Sequence, residues 1–191
     1  MVGRHSGACR FCWRNRCYSR SLVYCSFSVK TIVLLRHAKS AWDQPQISDH
    51  ERPLADRGRN AAPKMATRLA DLALPLDIIL CSTSRRTRQT FSLMSAVLGM
   101  HAKTVSFLDS LYSADADTIL AHIRSLPASL HSCCVIGHNP GLTDVLQRIT
   151  RAGIDNIPTC GIAVVECNVE NWEDVKEGEL RSFITPKQVI E

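Results

Sequence analysis

Thr31-Ile32-Val33-Leu34-Leu35-Arg36-His37 is the stretch on which the fold turns. Aliphatic and β-branched residues run without a polar break and end on two basic ones. A short continuous apolar run of this kind reads as a strand buried on both faces. A second run, Cys133 to Gly137, leads into His138 within Ile136-Gly137-His138-Asn139-Pro140-Gly141. A third, Asp77 to Ser82, precedes Ser84-Arg85-Arg86-Thr87-Arg88-Gln89-Thr90. In each case polar, chemically capable residues sit where a hydrophobic strand ends.

Working outward, helix-like segments separate these runs. Leu54 to Leu72 is predicted helical, with Met65, Leu69 and Leu72 on its inner face and Pro63 in an early turn. Arg85 to Leu98 follows, with Phe91, Met94, Val97 and Leu98 inward and Gly99 ending it. Asp115 to Leu126 is stopped by Pro127, and Gly141 to Arg151 is the fourth helix. Thr104 to Leu108 and Gly161 to Cys167 read as strands, with a further edge strand at residues 180–185. Strand and helix in turn predict an α/β domain: a mostly parallel central sheet with helices on both faces. Ligands bind such sheets beyond the carboxyl ends of the strands. Arg36-His37, Ser82 and Gly137-His138 all fall there.

With 191 residues, 45% of them hydrophobic and 21% charged, the chain suits one domain with a full-sized core. The net charge of +5 is unevenly placed. Residues 1–30 hold six of the 23 basic residues and no acid, leaving 17 basic against 18 acidic in the rest. Charge therefore gives the body no nucleic-acid or membrane role, and no stretch is long enough to span a bilayer. Residues 1–29 are expected to be a basic extension, disordered or targeting, and residues 30–191 the functional domain. Arg-rich, Ser-rich and acid-poor, the extension has a transit peptide's composition, which sets a mitochondrial or plastid address beside a cytoplasmic one. Cys9-x-x-Cys12 with Cys17 lacks the second well-spaced pair of a zinc knuckle. Cys81, Cys133, Cys134, Cys160 and Cys167 lie in or beside apolar runs and read as buried free thiols.

Two arginines and two histidines meeting in one pocket would hold a phosphoryl group. Arginine offers its oxygens a planar fork of donors whose charge does not titrate away. A neutral imidazole at His37 would attack phosphorus and form a covalent intermediate, splitting one hard step into two. Its other ring nitrogen then needs an acceptor, such as a backbone carbonyl, so that the attacking nitrogen is bare. A protonated His138 would add a third donor.

Leu35-Arg36-His37-Ala38-Lys39-Ser40 with Trp42, Arg52-Pro53-Leu54 with Gly58, Arg86-Thr87-Arg88-Gln89-Thr90 and Gly137-His138-Asn139-Pro140-Gly141 together resemble the histidine phosphatase superfamily, in its SixA-type phosphohistidine phosphatase branch. The resemblance runs from about residue 31 to about residue 167. It implies a phosphoglycerate mutase-like fold and a hydrolase needing no metal or other cofactor. It makes His37 the phospho-accepting residue, and Arg36, Arg86 and His138 the rest of the phosphate pocket. Lys39 and Arg52 join these as substrate-binding candidates. Arg85 and Arg88 are expected at the rim. Ala38 stands where the superfamily usually has Gly, as is common in the SixA-like branch. Ser82-Thr83-Ser84 lacks the usual Ser-Pro.

The general acid is less defined. Mutase relatives carry a Glu after the second arginine, and no Glu lies between Arg88 and His138 here. Asp109, Asp43 and Asp49 are the candidates, with Glu51 close by; Asp115 and Asp117 look like helix-start residues. Imidazole, titrating near pH 6.5, leaves more easily than an alkoxide, so a phosphohistidine needs little help. The partner expected is a phosphorylated substrate, in particular a phosphohistidine protein, acting on a monomeric enzyme. A small-molecule phosphatase or mutase-like enzyme and a non-catalytic phosphate-binding adaptor are the rival readings.

Overall fold

The computed structural model describes residues 29–43, 45–99 and 104–190. Residues 1–28, with the Cys9-x-x-Cys12 pair, lie outside the described residues. Six strands form one sheet: β1 (Val29–Arg36), β2 (Ile78–Ser82), β3 (Val105–Leu108), β4 (Ser132–Gly137), β5 (Ile162–Asn168) and β6 (Glu179–Ile184). Their order is β3-β2-β4-β1-β5-β6. Pairings among β3, β2, β4 and β1 are parallel, and β5 runs antiparallel to both its neighbours. The helices are α1 (Asp56–Ala70), α2 (Arg85–Leu98), α3 (Ala116–Arg124), α4 (Gly141–Ile149) and the short α5 (Lys187–Ile190).

Strand alternation assigns side chains to two cores. Ile32 and Leu34 of β1, Cys133 and Val135 of β4, and Ala163 and Val165 of β5 face α3 and α4. Val33 and Leu35, Cys134 and Ile136, and Ile162 and Val164 face α1 and α2. A period of two with both faces apolar explains why these strands read as unbroken hydrophobic runs. The five described cysteines are free and buried.

The crossovers place the site. β1 and β4 are neighbours, yet the chain leaves β1 toward α1 on one face and leaves β4 toward α4 on the other. A crevice opens where the two paths part. His37 lies where they part, its backbone N–H donating to the Gly137 carbonyl at 3.1 Å.

Three expectations need correction. Leu72 is exposed, because α1 stops at Ala70 and the chain turns through Ala73 at φ 50°. Val97 is also exposed; the inner stripe of α2 runs through Thr87, Thr90, Phe91, Met94 and Leu98 and leaves it on the flank. Pro63 sits in the interior of α1 rather than an early turn. It forgoes one helical hydrogen bond, which the burial of Ala61, Ala62, Met65, Ala66 and Leu69 around it offsets. β1 also starts at Val29, two residues before the apolar run, and α5 was not read from the sequence.

Gly58 joins fold to site. A Cβ there would meet the Lys39 carbonyl oxygen at 2.2 Å, so α1 presses directly on the chain just past His37. Gly58→Ala should therefore cost about 1–3 kcal/mol in urea unfolding, as overpacking does, and lower activity with it.

Candidate active site

Arg36 is the last residue of β1 and His37 the first beyond it. The His37 ring is buried, and its Nδ1 lies 2.8 Å from the Ala38 carbonyl oxygen. A carbonyl only accepts, so Nδ1 carries the proton and Nε2 is bare. Burial is the largest influence holding the His37 pKa down to about 4; the Ala38 hydrogen bond opposes it, and the charges of Arg86, Arg36 and Arg52 add to it. The ring is thus neutral at physiological pH, the state a nucleophile needs.

Ala38 is held from both sides. Its carbonyl takes the His37 proton, and its N–H donates to the Thr90 hydroxyl at 3.0 Å, while that hydroxyl donates to the Arg86 carbonyl at 2.7 Å. Gln89 Oε1 accepts from the Leu54 N–H at 2.7 Å. The Gln-Thr pair of α2 therefore pins the nucleophile's loop and the Arg52-Pro53-Leu54 segment to the helix that carries Arg86.

His138 follows β4 and is also buried; its ring centroid is 5.1 Å from that of His37. Arg86 Nη2, a donor only, approaches His138 Nδ1 at 3.3 Å, while His138 Nε2 lies 2.9 Å from Ser82 Oγ. The consistent tautomer has Nε2–H donating to Ser82 and Nδ1 accepting from Arg86. Burial first, then the neighbouring His37 and Arg86, lower its pKa to about 3, against the opposing charge of Asp49.

Both clamp arginines are well anchored. Arg36 donates through Nη1 to the Ile157 carbonyl at 2.8 Å. Buried Arg86 is met by Asp49, through its backbone oxygen at 2.5 Å and its carboxylate at 3.0 Å. The same carboxylate pairs with Arg52 at 3.1 Å and accepts from the Tyr112 hydroxyl at 2.8 Å. Arg52 in turn donates to Ser40 and stacks on Trp42, its guanidinium carbon 3.4 Å from the ring centroid. The Nε–H groups of Arg36, Arg52 and Arg86 are buried without an acceptor. A pocket with more donors than its own acceptors satisfy is built for an anion.

The structure thus brings together His37, Arg36, Arg86, His138, Arg52 and Asp49. Asp109 and Asp43 are exposed and make no side-chain contact with the clamp. Lys39 lines a neighbouring cavity together with Arg57 and Lys187. Arg85 and Arg88 are exposed beside buried Arg86. Ser82, placed by the sequence at a strand end, is the last residue of β2 and meets His138; Tyr112, shortly after β3, was not selected, and its place beyond a strand end was the available signal. Among the described residues no cluster of His, Cys, Asp or Glu could hold a metal, and no helix is long and apolar enough to cross a membrane.

Residues 32–113 match the model of the histidine phosphatase superfamily, branch 1. A Mycobacterium tuberculosis protein, itself uncharacterized, is 35% identical over 154 residues, covering 75% of this chain and 93% of its own. An uncharacterized chloroplastic protein of Arabidopsis thaliana is 31% identical, covering 76% of this chain and 70% of its own.

The chain belongs to the histidine phosphatase superfamily. A protein from Nakamurella multipartitia described as a phosphohistidine phosphatase SixA superposes on this histidine phosphatase with a TM-score of 0.73 and 29% identity, covering 83% of this chain and 96% of that one. This places the enzyme on the SixA-type branch. A Bacillus anthracis phosphoglycerate mutase shares the fold, with a TM-score of 0.66 over 85% of this chain and 96% of its own at 12% identity.

In this phosphatase Asp49 occupies the two guanidinium groups that an oxyanion would take. Partial burial pushes its pKa up, but Tyr112, Arg86 and Arg52 outweigh that and hold the carboxyl below the usual range. Asp49 is therefore ionised at neutral pH, and an anion binding to Arg86 and Arg52 would have to displace it. Asp49→Asn should strengthen competitive inhibition by sulfate about tenfold, the worth of roughly one charge-assisted hydrogen bond. Unchanged or weaker inhibition would show that Asp49 does not compete.

Proposed function

We propose that this enzyme hydrolyses phosphohistidine in protein substrates, through a phosphorylated His37. One observation carries the choice of leaving group: the carboxylate that the clamp holds, Asp49, is tied ionised to Arg86, Arg52 and Tyr112. An ionised carboxylate accepts protons, so before substrate binds the clamp holds no carboxylic acid ready to donate one. That favours a substrate whose leaving group needs no protein acid.

Phosphohistidine meets that demand. Protonated by solvent on its remote ring nitrogen, it departs as neutral imidazole when the phosphorus–nitrogen bond breaks. The bare Nε2 of His37 forms the new bond on the opposite side of phosphorus. Arg36 and Arg86 hold the phosphoryl oxygens, and Asp49 gives way. The incoming negative charge favours a proton on His138 Nδ1, which turns that ring into a donor to the same oxygens. Water then cleaves the phosphoenzyme, releasing phosphate and restoring neutral His37.

An alkyl phosphate such as phosphoglycerate would expel an alkoxide and gains nothing from this arrangement. The substrate is a protein rather than a sugar because residues 104–137 go into β3, α3, β4 and short turns, leaving no insertion there to enclose a small ligand. The chloroplastic name of the Arabidopsis relative supports a plastid address for the basic extension over a cytoplasmic one.

Turnover of a phosphohistidine peptide, an aryl phosphate and phosphoglycerate should rank in that order in kcat/KM. His37→Ala should abolish all three, and Arg86→Ala should cost roughly a hundred- to a thousandfold, as loss of a transition-state donor does. Preference for phosphoglycerate, or turnover surviving in His37→Ala, would overturn the assignment.

A further inference from the structure

Beside the clamp lies a cavity of about 300 Å³, lined by Lys39, Arg57, Ala61, Pro158, Cys160 and Lys187 among others. It carries three cationic side chains. None of the three makes a hydrogen bond or ion pair among the described residues, and no carboxylate lines the cavity there. Some cations elsewhere are paired, such as Arg59 with Asp56, Arg148 with Asp117 and Arg181 with Glu166. Others, such as Lys64 and Lys176, stand exposed; Lys39, Arg57 and Lys187 differ in sharing one concavity. Concentrating unpaired positive charge in one concavity costs self-repulsion that a ligand of opposite charge would relieve.

The cavity shares a wall with the catalytic clamp. Lys39 is two residues past His37, so their Cα atoms lie within about 7 Å. The Cys160 N–H lies 3.0 Å from the carbonyl oxygens of both Arg36 and His37. Ile157, whose carbonyl anchors Arg36, leads directly into Pro158 of the lining. The cavity and the clamp are thus joined through the backbone at Arg36–Lys39 and at Ile157–Cys160.

We infer that this cavity docks an acidic residue of the protein substrate, an Asp or Glu lying two to four positions from the phosphohistidine. That span reaches about 7–14 Å when extended, enough to bridge the shared wall. The apolar lining of Ala61, Pro158, Cys160 and Pro186 suits the aliphatic stem of a Glu, and Lys39, Arg57 and Lys187 suit its carboxylate. A free phosphate fits less well. Lys39, Arg57 and Lys187 are all exposed and set around apolar walls, without the buried, convergent forks of the Arg36–Arg86 clamp. The inference rests on the phosphohistidine-protein reading and adds the sequence context that the enzyme selects.

The experiment uses the full chain and two phosphohistidine peptides that differ in having Glu or Gln at those flanking positions. Exposed charge pairs are individually weak, so about threefold per pair and about tenfold for two is the expected advantage in KM for the Glu peptide. Arg57→Gln with Lys187→Gln should erase that advantage and leave aryl phosphate turnover intact. Arg57→Glu with Lys187→Glu should transfer the preference to a peptide with Lys at those positions. Equal KM values in the wild-type enzyme, or a Glu preference that survives the double Gln variant, would overturn the docking site while leaving the phosphohistidine assignment standing. Failure to cleave either peptide, with aryl phosphate turnover retained, would instead remove the substrate assignment and the docking site with it.

Discussion

A single hydrogen bond between neighbours, from His37 Nδ1–H to the Ala38 carbonyl, is the constraint from which the chemistry follows. It decides which nitrogen is bare. Burial and three nearby guanidinium charges then keep the ring neutral. A histidine free in solution would be partly protonated near its ordinary pKa and would present either nitrogen. Here both ambiguities are removed before substrate arrives, which is what preorganisation of a nucleophile means in structural terms.

That bond is stable only because Ala38 cannot move. Thr90 holds its N–H, the β1 end holds the residues before it, and Gly58 lets α1 close over the residues after it. Thr90 lies one turn beyond Arg86, so the element that presents the phosphate-binding guanidinium also positions the nucleophile. Errors in one would be shared by the other, and the distance between them is protected. Asp49 complements this: in the absence of substrate it neutralises a donor set that would otherwise be buried with its charge uncompensated.

Much of this was legible in the chain. The apolar runs of β1, β2 and β4 are buried on both faces, so their hydrophobicity is continuous and their ends are sharp. Arg36 ends β1, His37 and His138 come directly after β1 and β4, and Arg86 lies in the first turn of the helix after β2, so the strand order brings them together. The backbone carbonyl expected on the far nitrogen of His37 is that of Ala38. Less was visible where position depends on packing between loops. Tyr112 reaches Asp49 across 63 positions in sequence, and no local pattern encodes that meeting. Leu72 was misplaced because the apolar periodicity continues past the end of α1, and Val97 because it lies on the flank of the inner stripe of α2. Among the acids, composition could only name candidates; that Asp49 is engaged by two guanidinium groups is a tertiary fact.

The central claim, a neutral His37 with its proton on Nδ1, is open to direct measurement by ¹⁵N NMR of the imidazole nitrogens in the unliganded enzyme. The expected result is a protonated-type Nδ1 and a bare-type Nε2, both unchanged from pH 8 down to pH 5, with protonation beginning only as the pH nears 4. A ring that titrates near its ordinary 6.5, or that carries its proton on Nε2, would contradict the account.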